Sequence, residues 1–217
     1  MSKISVLMSV YKKENPEYLR ASLESILVQT RTADEILLIE DGPLTQELYQ
    51  VVAEYQKKCD YLHVHAMEQN VQLGRALAKG VELCQYDLIA RMDTDDIAMP
   101  DRLEKEEAYM EAHPEVDVVG GAIREFNDEG TIDRVKNMPK TQEEILEYVK
   151  VRNPLNHMTV MYRKDSILKA GNYKHFPFLE DYSLWSRMLS QGYQFRNMED
   201  ILVRARTSMG LVKRRSG

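Results

Sequence analysis

Residues 86–103 read YDLIARMDTDDIAMPDRL: an apolar run from Leu88 to Met92 opens into three aspartates, Asp93, Asp95 and Asp96. The run has the length and character of a buried strand. Carboxylates crowded at a strand end repel one another, and loss of water raises the cost of each, so the arrangement calls for cations or backbone donors among them.

The segments before it repeat one pattern. KISVLMSVY (3–11) reads as a strand, followed by a helix with Asn15 as N-cap, Pro16 at the first helical position and Leu19, Leu23, Ile26 and Leu27 on one face. EILLIEDG (35–42) is a second buried strand, and TQELYQVVAEYQKKC (45–59) a helix carrying Leu48, Val51, Val52 and Tyr55 at helical spacing. YLHVHAM (61–67) and QLGRALAKGVELC (72–84) repeat the pair, with Leu73, Leu77, Val81 and Cys84 inward. Strands apolar throughout, alternating with amphipathic helices, imply an α/β fold with a mostly parallel sheet covered on both faces.

In such sheets ligands sit beyond the carboxyl ends of the strands. Those ends carry Ser9, Val10 and Tyr11, then Glu40 and Asp41, then Asp93, Asp95 and Asp96. The acidic residues therefore converge on one edge, which local folding does not require.

Past Asp96 the regularity breaks. Residues 100–114 read as an exposed helix, 116–135 as a hairpin turning at NDEG (127–130), and 141–151 as a helix opened by a capping box of Thr141 and Glu144. HMTVMYRK (157–164) follows as a strand, DSILKAGNY (165–173) as a short helix capped by Asp165, EDYSLWSRMLSQG (180–192) as a helix closed by Gly192, and ILVRART (201–207) as a last strand or extended tail. The expected division is two lobes, 1–96 and 97–217, of one domain.

Composition narrows the function. Lys plus Arg number 29 against 35 Asp plus Glu, a net charge of −6, which opposes binding to a nucleic-acid backbone. Cys59 and Cys84 have neither zinc-site spacing nor the density of a secreted scaffold and read as reduced thiols. With no apolar run long enough for a bilayer, the expected location is the cytoplasm, peripheral to the inner membrane face. The basic ending at Lys213, Arg214 and Arg215 reads as solvated, with anionic lipid or phosphate as the alternative partner.

The turn SVYKKENP (9–16) has no glycine, which excludes the dinucleotide fingerprint and the P-loop, and Ile97 and Ala98 break the pattern of an EF-hand. What DTDD offers is hard oxygen ligands, Asp95 and Asp96, for Mg²⁺ or Mn²⁺ shared with substrate phosphates. A capped or solvated turn is the alternative.

Together ISVLMSVY, ILLIEDG, NVQLGRALAKGVELCQYDLIARMDTDDIAMPDRL and FLEDYSLWSRMLSQGY resemble a family 2 glycosyltransferase of the GT-A fold, of the kind that builds bacterial surface polysaccharides. The similarity runs from Ile4 to about Arg206, and it implies that 1–96 is the nucleotide-sugar-binding lobe and 97–217 the acceptor-binding and catalytic lobe. It implies that Asp41 contacts the nucleotide base, that Asp93, Asp95 and Asp96 serve ribose, diphosphate and divalent metal, and that Asp181, with Glu180 beside it, is the base that activates the acceptor. Two positions depart from the family: Glu40 stands where an aspartate is usual, and Pro43 where serine often follows the glycine. Members of the family commonly continue beyond the position of Gly217.

The implied reaction is inverting transfer of a hexose or N-acetylhexosamine from a nucleotide sugar, with UDP the first expectation, to a glycan or lipid-linked acceptor. A metal on the leaving diphosphate and one base on the opposite side of the sugar suffice for it. The rivals are a metal-dependent sugar-nucleotidyltransferase and a non-catalytic sugar-nucleotide-binding module.

Several residues keep two readings. Asp181 at a helix start suits capping and the helix dipole as well as catalysis. His157 is a structural residue or a donor to a diphosphate or acceptor oxygen. Asn70 and Arg75 flank the entry of the third helix, where an anion or a base edge fits, or lie on the surface. Trp185 reads as core, with an acceptor platform as the lesser reading, and Arg204 and Arg206 line the diphosphate or face water.

Overall fold

A computed structural model describes residues 2–207. The strands are β1 (Ile4–Val10), β2 (Glu35–Glu40), β3 (Leu62–Ala66), β4 (Leu88–Met92), β5 (Ile97–Ala98), β6 (Val118–Phe126), β7 (Asp133–Lys136), β8 (Met161–Arg163) and β9 (Phe195–Arg206). The helices are α1 (Pro16–Leu27), α2 (Gln46–Lys58), α3 (Leu73–Leu83), α4 (Arg102–Ala112), α5 (Gln142–Tyr148), α6 (Lys164–Lys169) and α7 (Glu180–Ser190), with a 3₁₀ turn at His157–Thr159. The strands lie in one sheet of order β3-β2-β1-β4-β8-β6-β9-β5, and β7 pairs on β6.

β1 pairs in parallel with both β2 and β4, and β2 with β3. Strand order therefore reverses beside β1, and a crevice opens where the β1 and β4 carboxyl ends diverge. Alternate residues of each strand feed two cores. Val6, Met8, Ile36 and Leu38 pack with α1 and α2, while Leu7, Leu37 and Ile39 pack with α3 and α7. The sheet continues across position 96, because β4 pairs antiparallel with β8 and β8 with β6.

Local signals account for most helix ends. Asn15 Oδ1 accepts from Glu17 N at 2.9 Å with Pro16 inside the first turn, Thr45 caps α2, and Thr141 and Glu144 form the reciprocal capping box of α5. Gly192, at φ +89°, ends α7.

Four expectations need correction. α4 is not an exposed helix: Arg102, Leu103, Glu106, Glu107 and Met110 are buried, and the long stem of Arg102 lets its charge reach Glu106 and the Arg91 carbonyl. α6 begins at Lys164 with Arg163 as its unassisted N-cap, so Asp165 lies within the first turn. β3 is a sheet edge with half-exposed residues, and His157 belongs to a 3₁₀ turn before β8 rather than to a strand. Lys213, Arg214 and Arg215 fall outside the described residues. No helix among the described residues is long and apolar enough to cross a membrane.

Candidate active site

A cleft of about 460 Å³ lies at the crevice, a size suited to a nucleotide sugar. Its walls bring together Ser9 at the end of β1 and Tyr11 just past it, Asp41 and Asn70 beyond β2 and β3, Asp93 and Asp95 after β4, and Glu180 at the start of α7. Residues separated by more than 170 positions meet there because three parallel strands end on the same edge.

Asp41 is fixed from one side. Its Oδ1 accepts from Val71 N at 2.6 Å and its Oδ2 from Asn70 Nδ2 at 2.9 Å, while burial pushes its carboxyl above the ordinary range. Gly42 makes this seat feasible: it sits at φ +82°, and a Cβ there would fall 2.5 Å from Asn70 N. The same turn draws the entry of α3 against the end of β2.

The acidic turn holds three carboxylates whose ligand oxygens lie within 4.8 Å of one another. Asp93 is ion-paired to Arg91, a buried cation whose Nε and Nη1 have no hydrogen-bond partner among the described residues. Burial, with the charges of Asp93 and Glu14, pushes Asp95 up to about 7, and burial with Asp93 and Asp95 drives Asp96 well above the carboxylate range. Of the three, Arg91 is ion-paired with Asp93, and one guanidinium against three carboxylates leaves the set short of positive charge. Hard oxygens with a charge deficit fit a divalent cation. Asp95 lines the cleft; Asp96 is turned inward, 2% exposed, and its Oδ1 accepts from Arg206 N at 2.6 Å.

The carboxylates of α7 divide. Glu180 lines the cleft, and burial raises its carboxyl. Asp181 lies behind it, accepting from Asn153 Nδ2 and from Tyr182 N at 2.7 Å. Burial raises its carboxyl too, and Arg91 pulls the other way. Asp181 is not the N-cap, which is Leu179 with no side-chain bond, but it sits in the first turn and its carboxylate accepts the Tyr182 N–H there. Its Oδ2 lies 3.9 Å from His157 Nδ1. His157 is buried against Trp185 and within 2.9 Å of Tyr173 Oη, and burial with Arg91 lowers its pKa well below the ordinary value, leaving it neutral.

Other expected residues lie away from the cleft. Val10 and Glu40 are buried, at 1% and 6% exposure, and burial raises the Glu40 carboxyl. Arg75 is exposed on α3 outside the lining. Trp185 is fully buried in the aromatic core. Arg204 and Arg206 stack on Phe126 rather than line the cleft.

The sequence reading missed part of the lining. Glu14 and Thr94 bond across the floor, Thr94 Oγ1 donating to Glu14 Oε2 at 2.6 Å. His175, Phe176, Pro177 and Phe178 form the rim. Their available signal was an aromatic pair around a proline, placed just before the acidic start of α7.

A family model described as glycosyl transferase family 2 matches residues 5–175. The chain belongs to this family. Its relatives include the amylovoran biosynthesis glycosyltransferase AmsE of Erwinia amylovora, 43% identical over 98% of this chain and 79% of that protein. They also include the Escherichia coli UDP-Gal:alpha-D-GlcNAc-diphosphoundecaprenol beta-1,3-galactosyltransferase, 35% identical over 99% of this chain and 78% of that enzyme. Among solved structures, Staphylococcus aureus TarS 1-349 in complex with UDP-GlcNAc superposes with a TM-score of 0.77 at 20% identity, covering 96% of this chain and 59% of that one. The mannosyltransferase PcManGT of Pyrobaculum calidifontis, in complex with GDP-Man and Mn²⁺, gives 0.73 at 12% identity over 94% of this chain and 56% of that one. This glycosyltransferase of family 2 thus has the GT-A fold its sequence resembles, and it spans less than two thirds of those structural neighbours.

Proposed function

We propose that this glycosyltransferase moves a hexose or N-acetylhexosamine from a UDP-sugar onto a lipid-linked glycan in surface-polysaccharide synthesis, with inversion and with a divalent metal. The observation that carries the reading is the convergence of Asp41, Asp93, Asp95 and Glu180 on one cleft at the sheet's switch point. The polysaccharide setting follows the relatives, one of which is named for a UDP-galactose donor and a diphosphoundecaprenol-linked acceptor.

Asp41, held rigid by Val71 N and Asn70, presents acceptor lone pairs to the N–H edge of a pyrimidine. Asp93 and Asp95 face the diphosphate end, and Asp95 supplies the cleft-facing oxygen for Mn²⁺ or Mg²⁺, with Asp96 in the same cluster. When bound, such an ion stabilises negative charge gathering on the departing diphosphate. Asp181 takes the proton from the acceptor hydroxyl as it attacks the anomeric carbon. Asn153 orients that carboxylate, and Arg91 beneath it favours its ionised form. A single base with no enzyme nucleophile gives inversion.

The exposure of Glu180 to the cleft favours a second assignment, in which Glu180 is the base and Asp181 its support. Thermal-shift titration with a panel of nucleotide sugars, with and without Mn²⁺, tests the donor. UDP-sugars should stabilise the protein in a metal-dependent way, whereas a response to nucleoside triphosphates alone would move the activity to nucleotidyl transfer.

A further inference from the structure

The segment from Lys174 to Glu180 is a strap across the rim of the cleft, pinched at both ends against α3. A Cβ at Gly74 would fall 2.7 Å from Lys174 O and 3.0 Å from Glu180 Cβ, so both stems of the strap rest on a glycine. Between the stems, Leu179 N donates to Phe176 O at 2.9 Å and closes a turn with Pro177 second and Phe178 third. Phe178 has φ +66°. Proline followed by a positive-φ residue is the pattern of a type II turn, whose third position normally takes glycine or asparagine. This chain places phenylalanine there, and leaves it 95% exposed, next to Phe176 at 49% and Leu179 at 54%.

Among the described residues, neither folding nor packing accounts for that choice. Gly or Asn would relax the backbone, and the ring touches too little protein to repay the strain. An anchored turn that holds aromatic and aliphatic side chains out into solvent marks a contact surface. Its neighbours are exposed Lys174 and His175, and exposed Lys12 and Lys13 lie between Tyr11 and Glu14, two residues of the same cleft wall. Aromatic rings flanked by lysines form the chemistry of a membrane interface.

We infer that the 174–179 strap docks the cleft mouth on a lipid bilayer, with Phe178, Phe176 and Leu179 entering the interfacial layer. The choice of partner rests on the lipid-linked acceptor proposed above. In an acceptor of the type named for the relative, one sugar ring separates the attacking hydroxyl from a membrane-held diphosphate. The reacting sugar can then enter the cleft only if the mouth lies against the bilayer. The strap puts three exposed apolar side chains at that mouth.

The test uses the whole chain and vesicles of phosphatidylethanolamine and phosphatidylglycerol. F178W places a fluorescent probe on the strap while the native Trp185 is buried, and its emission should shift to the blue when vesicles are added. F178N suits the turn and should fold at least as stably as the parent, yet sediment with vesicles about tenfold less. An unmoved F178W spectrum, or F178N sedimenting like the parent, would overturn the inference. A blue shift produced by UDP-sugar without vesicles would also overturn it, by making the strap a cover over the donor. UDP titration into the parent chain is read separately: if it fails while F178W responds to vesicles, the donor assignment falls and the membrane surface stands.

Discussion

Arg206 Nε donates to the Asp95 carbonyl at 3.1 Å while its own backbone N–H donates to Asp96 Oδ1 at 2.6 Å, so the end of β9 holds the acidic turn from behind. The guanidinium is stacked 3.9 Å from the Tyr18 ring centre and 4.7 Å from that of Phe126, and pairs with Asp128 at its outer end. Side chains from α1, β6 and the turn after it thereby fix the site through one planar group.

Replacing that group should loosen the turn. R206M is expected to weaken Mn²⁺-dependent UDP binding about tenfold, as loss of support behind metal ligands usually does. R206K should recover little of it, since an ammonium neither stacks as a plane nor keeps the same fork of donors. D128N removes the exposed ion pair while keeping an amide oxygen that can accept from the Tyr18 hydroxyl, and should leave affinity near the parent's. Calorimetric titration decides, and equal losses in melting temperature with unchanged affinity would reduce Arg206 to a structural role.

Asp95 and Asp96 should separate on substitution. Asp95 has its pKa raised to about 7 in the folded chain, so between roughly pH 4 and 7 the native state holds a proton that the unfolded chain releases. Its carboxylate therefore costs stability as pH rises through that window. D95N removes the cost and should stabilise the metal-free protein by about 1–2 kcal/mol at pH 8, after allowance for the water that reaches the residue, with the gap closing toward pH 4. D96A leaves Arg206 N without its acceptor but also removes a carboxyl that burial and its neighbours hold well above the ordinary range, so it should destabilise by about 1–3 kcal/mol near pH 4 and lose that penalty as pH rises. Urea melts of both variants at two pH values check the signs; metal-dependent UDP binding should be lost in D95N.

D181N should keep the start of α7, because Leu179 is the N-cap and the Asn oxygen can still accept from Tyr182 N. Transfer should fall by about 10²-fold or more with UDP-sugar affinity near the parent's, the usual cost of a lost general base. E180Q is the parallel experiment. If D181N transfers sugar at almost the parental rate while E180Q does not, the base is Glu180.

His157 gives the fold an acid-sensitive element. Its folded pKa is depressed by burial and by Arg91, with Tyr173 Oη on one ring nitrogen and Asp181 at 3.9 Å from the other failing to reverse the direction. The unfolded chain therefore takes up a proton first, and stability present above about pH 6.5 is lost as pH falls below it, at up to about 1.4 kcal/mol per pH unit. H157Q should flatten that slope. Urea melts from pH 7.5 to 5.5 measure it, and an unchanged slope would place the acid sensitivity elsewhere.

The sequence by itself determined the alternation of strands and helices, because periodicity and capping act within a few residues and were written plainly in Asn15, Pro16, Thr141 and Glu144. It also determined which strand ends carry acid, and so the place of Asp41, Asp93 and Asp95. Depth and direction were decided only by the tertiary structure. Asp95 and Asp96 are adjacent in sequence, yet one lines the cleft and the other is held by a strand 110 residues away. Glu180 and Asp181 divide in the same way between cleft and interior. Burial of a side chain is a sum over neighbours from remote segments, and no local pattern contains it. That is why Glu40, Arg102 and His157 lie inside, and why the exposure of Phe178 became legible only once its turn was folded against Gly74.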